Sequence, residues 1–324
     1  MLRTLALALL LFVGFTHAAP APVLQRPFDL DTGHGVLRGS LMLPKRDGPA
    51  PVALLIAGSG PTDRDGNNPY GGRNDSLKRL ARLLAGHGIA SVRFDKRGVA
   101  ASKPAAPDER TLSVEGYVAD AVAWGRRLKE DPRFGPLILI GHSEGALIAS
   151  LAAEAAGADA LIVIAGTSRP IDDLLREQLQ GRLPPPLLAY SEALIQSLEA
   201  GQVVDEVPDE LQVLFRPSVQ PYLISLFRQR PAEAFGRLRL PALIVQGTHD
   251  IQVGVGDAQA LHEARPDAEL ALIPGMNHVM RVVPLDRRRQ LESYDEPGLP
   301  LAGELGPRLF RFIDALPAAA DARD

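Results

Sequence analysis

The 324-residue chain has no cysteine, one tryptophan and only 5% aromatic residues. Without cysteine there can be neither a disulfide framework nor a lipid anchor on an N-terminal cysteine, so the fold must stand on its core alone. An excess of one charge is also missing: 35 basic residues face 39 acidic ones, for a net charge of -4. No basic stripe is present to track a phosphate backbone, and nucleic acid is not an expected partner. Long apolar runs are scarce as well. Leu5 to Phe15 is the apolar stretch nearest a membrane span, but it falls well short of the roughly 20 residues needed to cross a bilayer. With the basic start Met1-Leu2-Arg3-Thr4 before it and the small residues of Thr16-His17-Ala18-Ala19 after it, it reads as a secretory signal cut after Ala18. The expectation is a periplasmic or secreted protein with no stable membrane anchor.

What is present is a 46% hydrophobic composition, ordinary for a globular core. Pro27 to Leu43 alternates apolar and polar residues like an antiparallel hairpin, with a turn near Thr32-Gly33-His34-Gly35. Beyond it, buried runs and amphipathic segments take turns. Strands are predicted at Val52–Ile56, Ala90–Phe94, Leu137–Ile140, Leu161–Ile164, Ala242–Val245 and Glu269–Ile273, and helices at Ser76–His87, Val114–Lys129 and Ala146–Ala156. This alternation predicts an α/β fold with a mostly parallel, doubly wound sheet covered on both faces. Between residues 166 and 240 it stops, and prolines punctuate helical stretches such as Ser191–Leu198. Leucines and aromatics make that segment too apolar for a linker, so it reads as an inserted helical cap. The expected division is a signal at 1–18, a core at 19–165 and 241–316, the cap at 166–240 and a flexible tail at 317–324.

The run Ile138-Leu139-Ile140-Gly141-His142-Ser143-Glu144-Gly145 puts one serine between two glycines at the end of a strand and the start of a helix. A hydroxyl is a weak nucleophile near neutral pH and needs a base in hydrogen-bond reach, with a third group to orient that base. Gly141 and Gly145 let strand and helix approach closely while the Ser143 hydroxyl projects. His278, in Pro274-Gly275-Met276-Asn277-His278 after the last strand, is the candidate base. Asp250, in a loop after Ala242–Val245, is the candidate acid, and Asp257 is its nearest competitor. The order Ser143, Asp250, His278 is the one a doubly wound hydrolase sheet requires. His142 and His249 read as packing residues beside the serine and the acid; His34, His87 and His262 read as structural. Negative charge on a tetrahedral intermediate calls for backbone N–H donors. One is expected at Glu144 and the other in Gly58-Ser59-Gly60, at Ser59 first and Gly60 second. No Lys-Ser/Thr follows this glycine pair, which argues against a phosphate-binding loop.

Together "GSGPTDRDGNN", "RFDKRG", "GHSEGALIAS", "GTHDIQV" and "PGMNHV" resemble the alpha/beta-hydrolase superfamily. The first stretch is similar to EstD-type bacterial serine esterases. The resemblance, from about Pro51 to Phe312, implies the alpha/beta-hydrolase fold and a Ser-Asp-His carboxylesterase acting on small-molecule acyl esters without cofactor. It places nucleophile, acid and base on Ser143, Asp250 and His278, and the oxyanion donors on Ser59 or Gly60 with Glu144. One departure is Ala57, where superfamily members often carry histidine. No metal site is expected: Asp63-Arg64-Asp65-Gly66-Asn67-Asn68 has calcium-loop spacing, but Asn68 and Asn74 stand where glycine and glutamate are needed. These side chains are expected to fix their own loop, and Phe94-Asp95-Lys96-Arg97-Gly98 to support it by charge pairing. Two rival readings remain. One is a serine aminopeptidase-like peptidase, for which Asp172, Asp173, Glu177, Glu192, Asp205, Glu206, Asp209 and Glu210 are cap carboxylates that could meet an N-terminal amine. The other is a non-catalytic ligand-binding module.

Overall fold

The computed structural model describes residues 23–317. The signal at 1–18 and almost all of the expected tail lie outside the described residues. The chain opens with β1 (Leu24–Pro27), β2 (Leu30–Asp31), β3 (Val36–Leu37) and β4 (Gly39–Leu43). The expected hairpin is reduced to two residues in each of β2 and β3. The longer arm, β4, pairs antiparallel with β1 on one side and joins the main sheet on the other, so its apolar residues meet the core and not their own hairpin.

The core then alternates: β5 (Ala50–Ile56), α1 (Ser76–Gly86), β6 (Ala90–Phe94), α2 (Val114–Lys129), β7 (Phe134–His142), α3 (Glu144–Ala152) and β8 (Ala160–Ile164). Between β8 and the next strand come α4 (Ile171–Leu179), α5 (Pro185–Glu199), α6 (Gln212–Phe215), α7 (Gln220–Phe227) and α8 (Pro231–Gly236). The chain closes with β9 (Ala242–Gly247), α9 (Val255–Ala264), β10 (Glu269–Ile273), α10 (Arg287–Ser293) and α11 (Leu305–Asp314). The eight-stranded sheet runs β1-β4-β6-β5-β7-β8-β9-β10 and is parallel from β6 to β10.

Side chains of a strand alternate between faces, and both faces of this sheet are buried. On β5, Val52, Leu54 and Ile56 enter one core with Trp124 of α2 and Ile148 of α3. Ala53 and Leu55 enter the other, with Leu77, Leu80, Ala81 and Leu84 of α1 and Leu309 of α11. The spacing of those α1 residues is one helical face, which is why a solvent-facing half is left for Lys78, Arg79 and Arg82. The segment between β8 and β9, here called the cap, has a third core of its own, in which Leu194, Ile195, Leu198, Phe215, Leu223 and Phe227 pack. Helix α8 is different: Phe235 belongs to the main core, so α8 acts as the crossover that returns the chain to the start of β9.

Several prolines of this segment open helices where a breaker would be expected. Pro184 caps α5 and Pro185 is its first residue, Pro221 lies in the first turn of α7, and Pro231 begins α8. A first-turn N–H has no intrahelical acceptor, so proline loses nothing there. Helix α5 accordingly starts well before the predicted Ser191.

Candidate active site

Strand order reverses between β5 and β7, and in doubly wound sheets the crevice at that reversal, outside the carboxyl ends of the strands, is where ligands bind. Ser143 sits there, between β7 and α3, with φ 55° and ψ -123°. That conformation costs a non-glycine residue about 1–3 kcal/mol and persists only where the surroundings over-determine it. Here the Ser143 N–H donates to the Ile164 carbonyl at 2.9 Å and its own carbonyl accepts from Ala146 at 2.9 Å. A Cβ on Gly141 would overlap the Gly145 carbonyl, and one on Gly145 would overlap the Ile56 carbonyl. These two glycines are required by close packing and not by a positive φ.

Asp250 follows β9 with its side chain fully buried. Its Oδ1 accepts from the Gln252 and Val253 N–H groups at 2.8 and 3.0 Å, and its Oδ2 from His278 Nδ1 at 2.8 Å and Gln246 Nε2 at 3.2 Å. Burial alone would raise this carboxyl's pKa, but the His278 charge and these hydrogen bonds hold it below the ordinary value. A carboxylate only accepts, so His278 donates from Nδ1, and in the neutral imidazole Nε2 is then the acceptor. His278 and Ser143 line the same cleft, of about 240 Å³. Asp257, the competing acid, instead accepts from Thr167, Ser168 and Arg169 and joins the base of the cap to α9.

His142 packs beside the base and also anchors it, because its Nε2–H donates to the His278 carbonyl at 2.8 Å. Burial, and then the His278 charge, lower its pKa to about 4. The His249 Nδ1–H donates to the Val283 carbonyl at 2.6 Å and holds the same loop from its other end. Met280, two residues past the base, takes a strained φ of 62° with its side chain wholly buried.

Among the described residues, the Ser59 and Gly60 N–H groups have no hydrogen-bond acceptor. Ser59 lines the Ser143 cleft, whereas Gly60 lines a neighbouring cavity of about 600 Å³. Glu144 begins α3, so its N–H has no carbonyl a turn earlier in that helix. The loop that follows Ser59 is fixed largely by its own polar groups: Asp63 Oδ1 accepts from the N–H groups of Asp65 and Asn67, and Asn67 Oδ1 from those of Asn74 and Asp75. From β6 and just beyond it, Arg93 bonds Asp65 at 2.7 Å and Asp95 takes both the backbone and the guanidinium of Arg64 at 2.8 Å.

Reasoning from the sequence missed Gln246, which steadies Asp250, and Tyr294, which lines the cleft and accepts from Gln252 at 2.8 Å. Neither lies in a recognisable motif, and only the fold brings them in. The cap residues Val213, Val219 and Tyr222 line the larger cavity, while no cap residue lines the cleft itself. Of the cap carboxylates, Glu177 pairs with Arg169, and Asp172, Asp173 and Glu192 with Arg176.

A reversal-point serine on a strained turn, in a sheet of this order, defines the α/β hydrolases. The chain belongs within them to the serine aminopeptidase S33 family (Hydrolase_4), whose model matches residues 70–281. Its sequence is 32% identical over 248 residues to esterase EstD of Thermotoga maritima, covering 75% of this chain and 58% of that protein. The chain thus spans a little over half the length of that curated relative. Among solved structures, Est1E from Butyrivibrio proteoclasticus superimposes with a TM-score of 0.59 at 19% identity, covering 89% of this chain and 99% of that one. An esterase from Pyrococcus furiosus does so with a TM-score of 0.57 at 16% identity, over 90% and 91%. At such identities these two likenesses concern the fold.

Proposed function

We propose that the protein is a serine carboxylesterase that hydrolyses short- to medium-chain acyl esters through an acyl-enzyme on Ser143, after export directed by its N-terminal leader. The observation that carries this reading is the Asp250–His278 hydrogen bond, which occupies Nδ1 and so makes Nε2 of the neutral imidazole the acceptor available to the cleft that Ser143 shares. His278 Nε2 takes the Ser143 proton as the hydroxyl oxygen attacks the ester carbonyl, and Asp250 stabilises the imidazolium. The carbonyl oxygen becomes an oxyanion that backbone N–H groups receive, each contributing on the order of 3 kcal/mol. Collapse of the intermediate releases the alcohol with the proton from His278. Water, deprotonated by the same imidazole, then releases the acid. The cavity of about 600 Å³ beside the cleft gives one arm of the ester room beyond an acetyl group.

A peptidase with the same triad is the second reading, favoured by the description of the family. Recognition of an N-terminal amine needs a free carboxylate; among the described residues none lines the Ser143 cleft, and Glu109 and Glu144 of the neighbouring cavity are paired with Arg216 and Lys96. Turnover of p-nitrophenyl esters from acetate to dodecanoate, set against aminoacyl p-nitroanilides, decides between the two. Ester hydrolysis that falls by a factor on the order of 10⁶ in Ser143→Ala is the expected outcome. Cleavage of anilides alone would establish the peptidase, and failure of Ser143 to react with a fluorophosphonate would leave a binding module.

A further inference from the structure

The two segments that supply oxyanion donors come from different strands. Ser59 follows β5 and Glu144 follows β7; the ladder between those strands ends at Ile56 and Gly141. Beyond that point no sheet hydrogen bond fixes their spacing, yet donors to a transition state must be held to within about 0.5 Å. Lys96, just past the end of β6, bridges the gap. Its Nζ donates to the Gly58 carbonyl at 2.5 Å and stands 3.5 Å from Glu144 Oε1. The side chain is 2% exposed and lies against the Tyr117 ring, 5.0 Å from its centroid.

A trans peptide is planar, with its C=O and N–H pointing in opposite directions. The Gly58 carbonyl and the Ser59 N–H belong to one such plane. Drawing the carbonyl toward Lys96 therefore aims the Ser59 N–H away from it, on the side where Ser59 lines the cleft with Ser143. A side chain at Gly58 would crowd that placement, since a Cβ on it would lie 3.1 Å from Ser143 Cβ. The other contact of Lys96, an ion pair at 3.5 Å in which Glu144 Oε1 accepts no hydrogen bond, reaches the residue whose N–H is the second donor.

We infer that Lys96 is the positioning residue of the oxyanion hole: it fixes the Gly58–Ser59 peptide plane against Glu144 and so makes Ser59, not Gly60, the first donor. This rests on the esterase reading, and the test separates the two. Lys96→Met, Lys96→Arg and Ser59→Pro, which lacks the N–H, are compared with wild type and with the Lys96→Met/Ser59→Pro double variant. Each is assayed for kcat and KM on p-nitrophenyl butyrate, for inhibition by a trifluoromethyl ketone that forms a tetrahedral adduct, and for Tm. Lys96→Met is expected to lower kcat and ketone affinity in parallel by about 10²-fold, with KM changed less than threefold and partial recovery in Lys96→Arg. Because both changes act through the Ser59 donor, the double variant should fall well short of the product of the two single losses. If Lys96→Met fails to fold, Lys96→Met/Glu144→Gln, which removes the stranded carboxylate, carries the same measurement. An active wild type with kcat and ketone affinity unmoved in the folded Lys96 variant, or losses that multiply in the double variant, would overturn the inference. A wild type that hydrolyses no ester would overturn the esterase reading and the inference with it.

Discussion

The Ser143 turn and the cap are held together in opposite ways. Around Ser143 the constraint is backbone against backbone: a strained φ, two glycines with no room for a methyl group, and loop carbonyls taken up by His142, His249 and Lys96. The cap keeps itself folded with a core of its own, and its surface carries exposed arginine–carboxylate pairs. The first arrangement fixes positions to a fraction of an ångström and tolerates almost no change. The second tolerates change, because exposed ion pairs contribute little and its core does not include the reacting groups.

After the loss of Ser143 itself, the largest expected break lies in the rigid region and spares the fold. Asp250→Asn keeps the shape but removes the charge opposite His278 Nδ1, so kcat on p-nitrophenyl butyrate should fall on the order of 10⁴-fold. The far-ultraviolet spectrum should stay unaltered. Gly145→Ala attacks the backbone contact itself. Its Cβ would meet the Ile56 and Ala57 carbonyls, so urea unfolding should show a loss of about 3 kcal/mol or more together with loss of fluorophosphonate labelling.

His142 sharpens the comparison through pH. With a native pKa of about 4 against an unfolded value of about 6.5, the unfolded chain binds this proton first as pH falls. Stability from the neutral imidazole is therefore whole above about pH 6.5 and is lost progressively down to about pH 4, by up to about 3 kcal/mol. His142→Gln should remove that part of the slope in urea midpoints measured across this window. The smallest effect on activity belongs to the cap: Arg176→Ala removes the half-buried cation shared by Glu192, Glu199, Asp172 and Asp173 and, because Asp172 is buried, should cost about 1–3 kcal/mol of stability. Ester turnover should be unchanged. A large loss of activity there would mean that the two regions are not independent.

The same contrast decided what was legible in the sequence. Buried parallel strands are continuous apolar runs, so Val52–Ile56 and Leu161–Ile164 were readable to within two residues of β5 and β8. The order and strand contexts of Ser143, Asp250 and His278 singled them out too, and the fold bonds His278 to Asp250 and lines one cleft with His278 and Ser143. The start of α5 was not, because proline at a helix start and proline as a breaker look alike until the helix axis is known. Lys96 was read only as charge support. That its ammonium would reach the Gly58 carbonyl depends on the ends of three strands meeting, and no local pattern encodes that meeting.

The cavity beside the cleft is walled on one side by scaffold residues such as Leu112 and Tyr117 and on the other by Val213, Val219 and Tyr222 of the cap. Part of the surface an acyl group would touch is therefore carried by the part of the molecule that accepts substitution most readily. Over generations, or in a mutant library confined to those cap positions, substrate range can drift while the reaction itself stays fixed. A new preference would not have to be discovered together with a new way of folding.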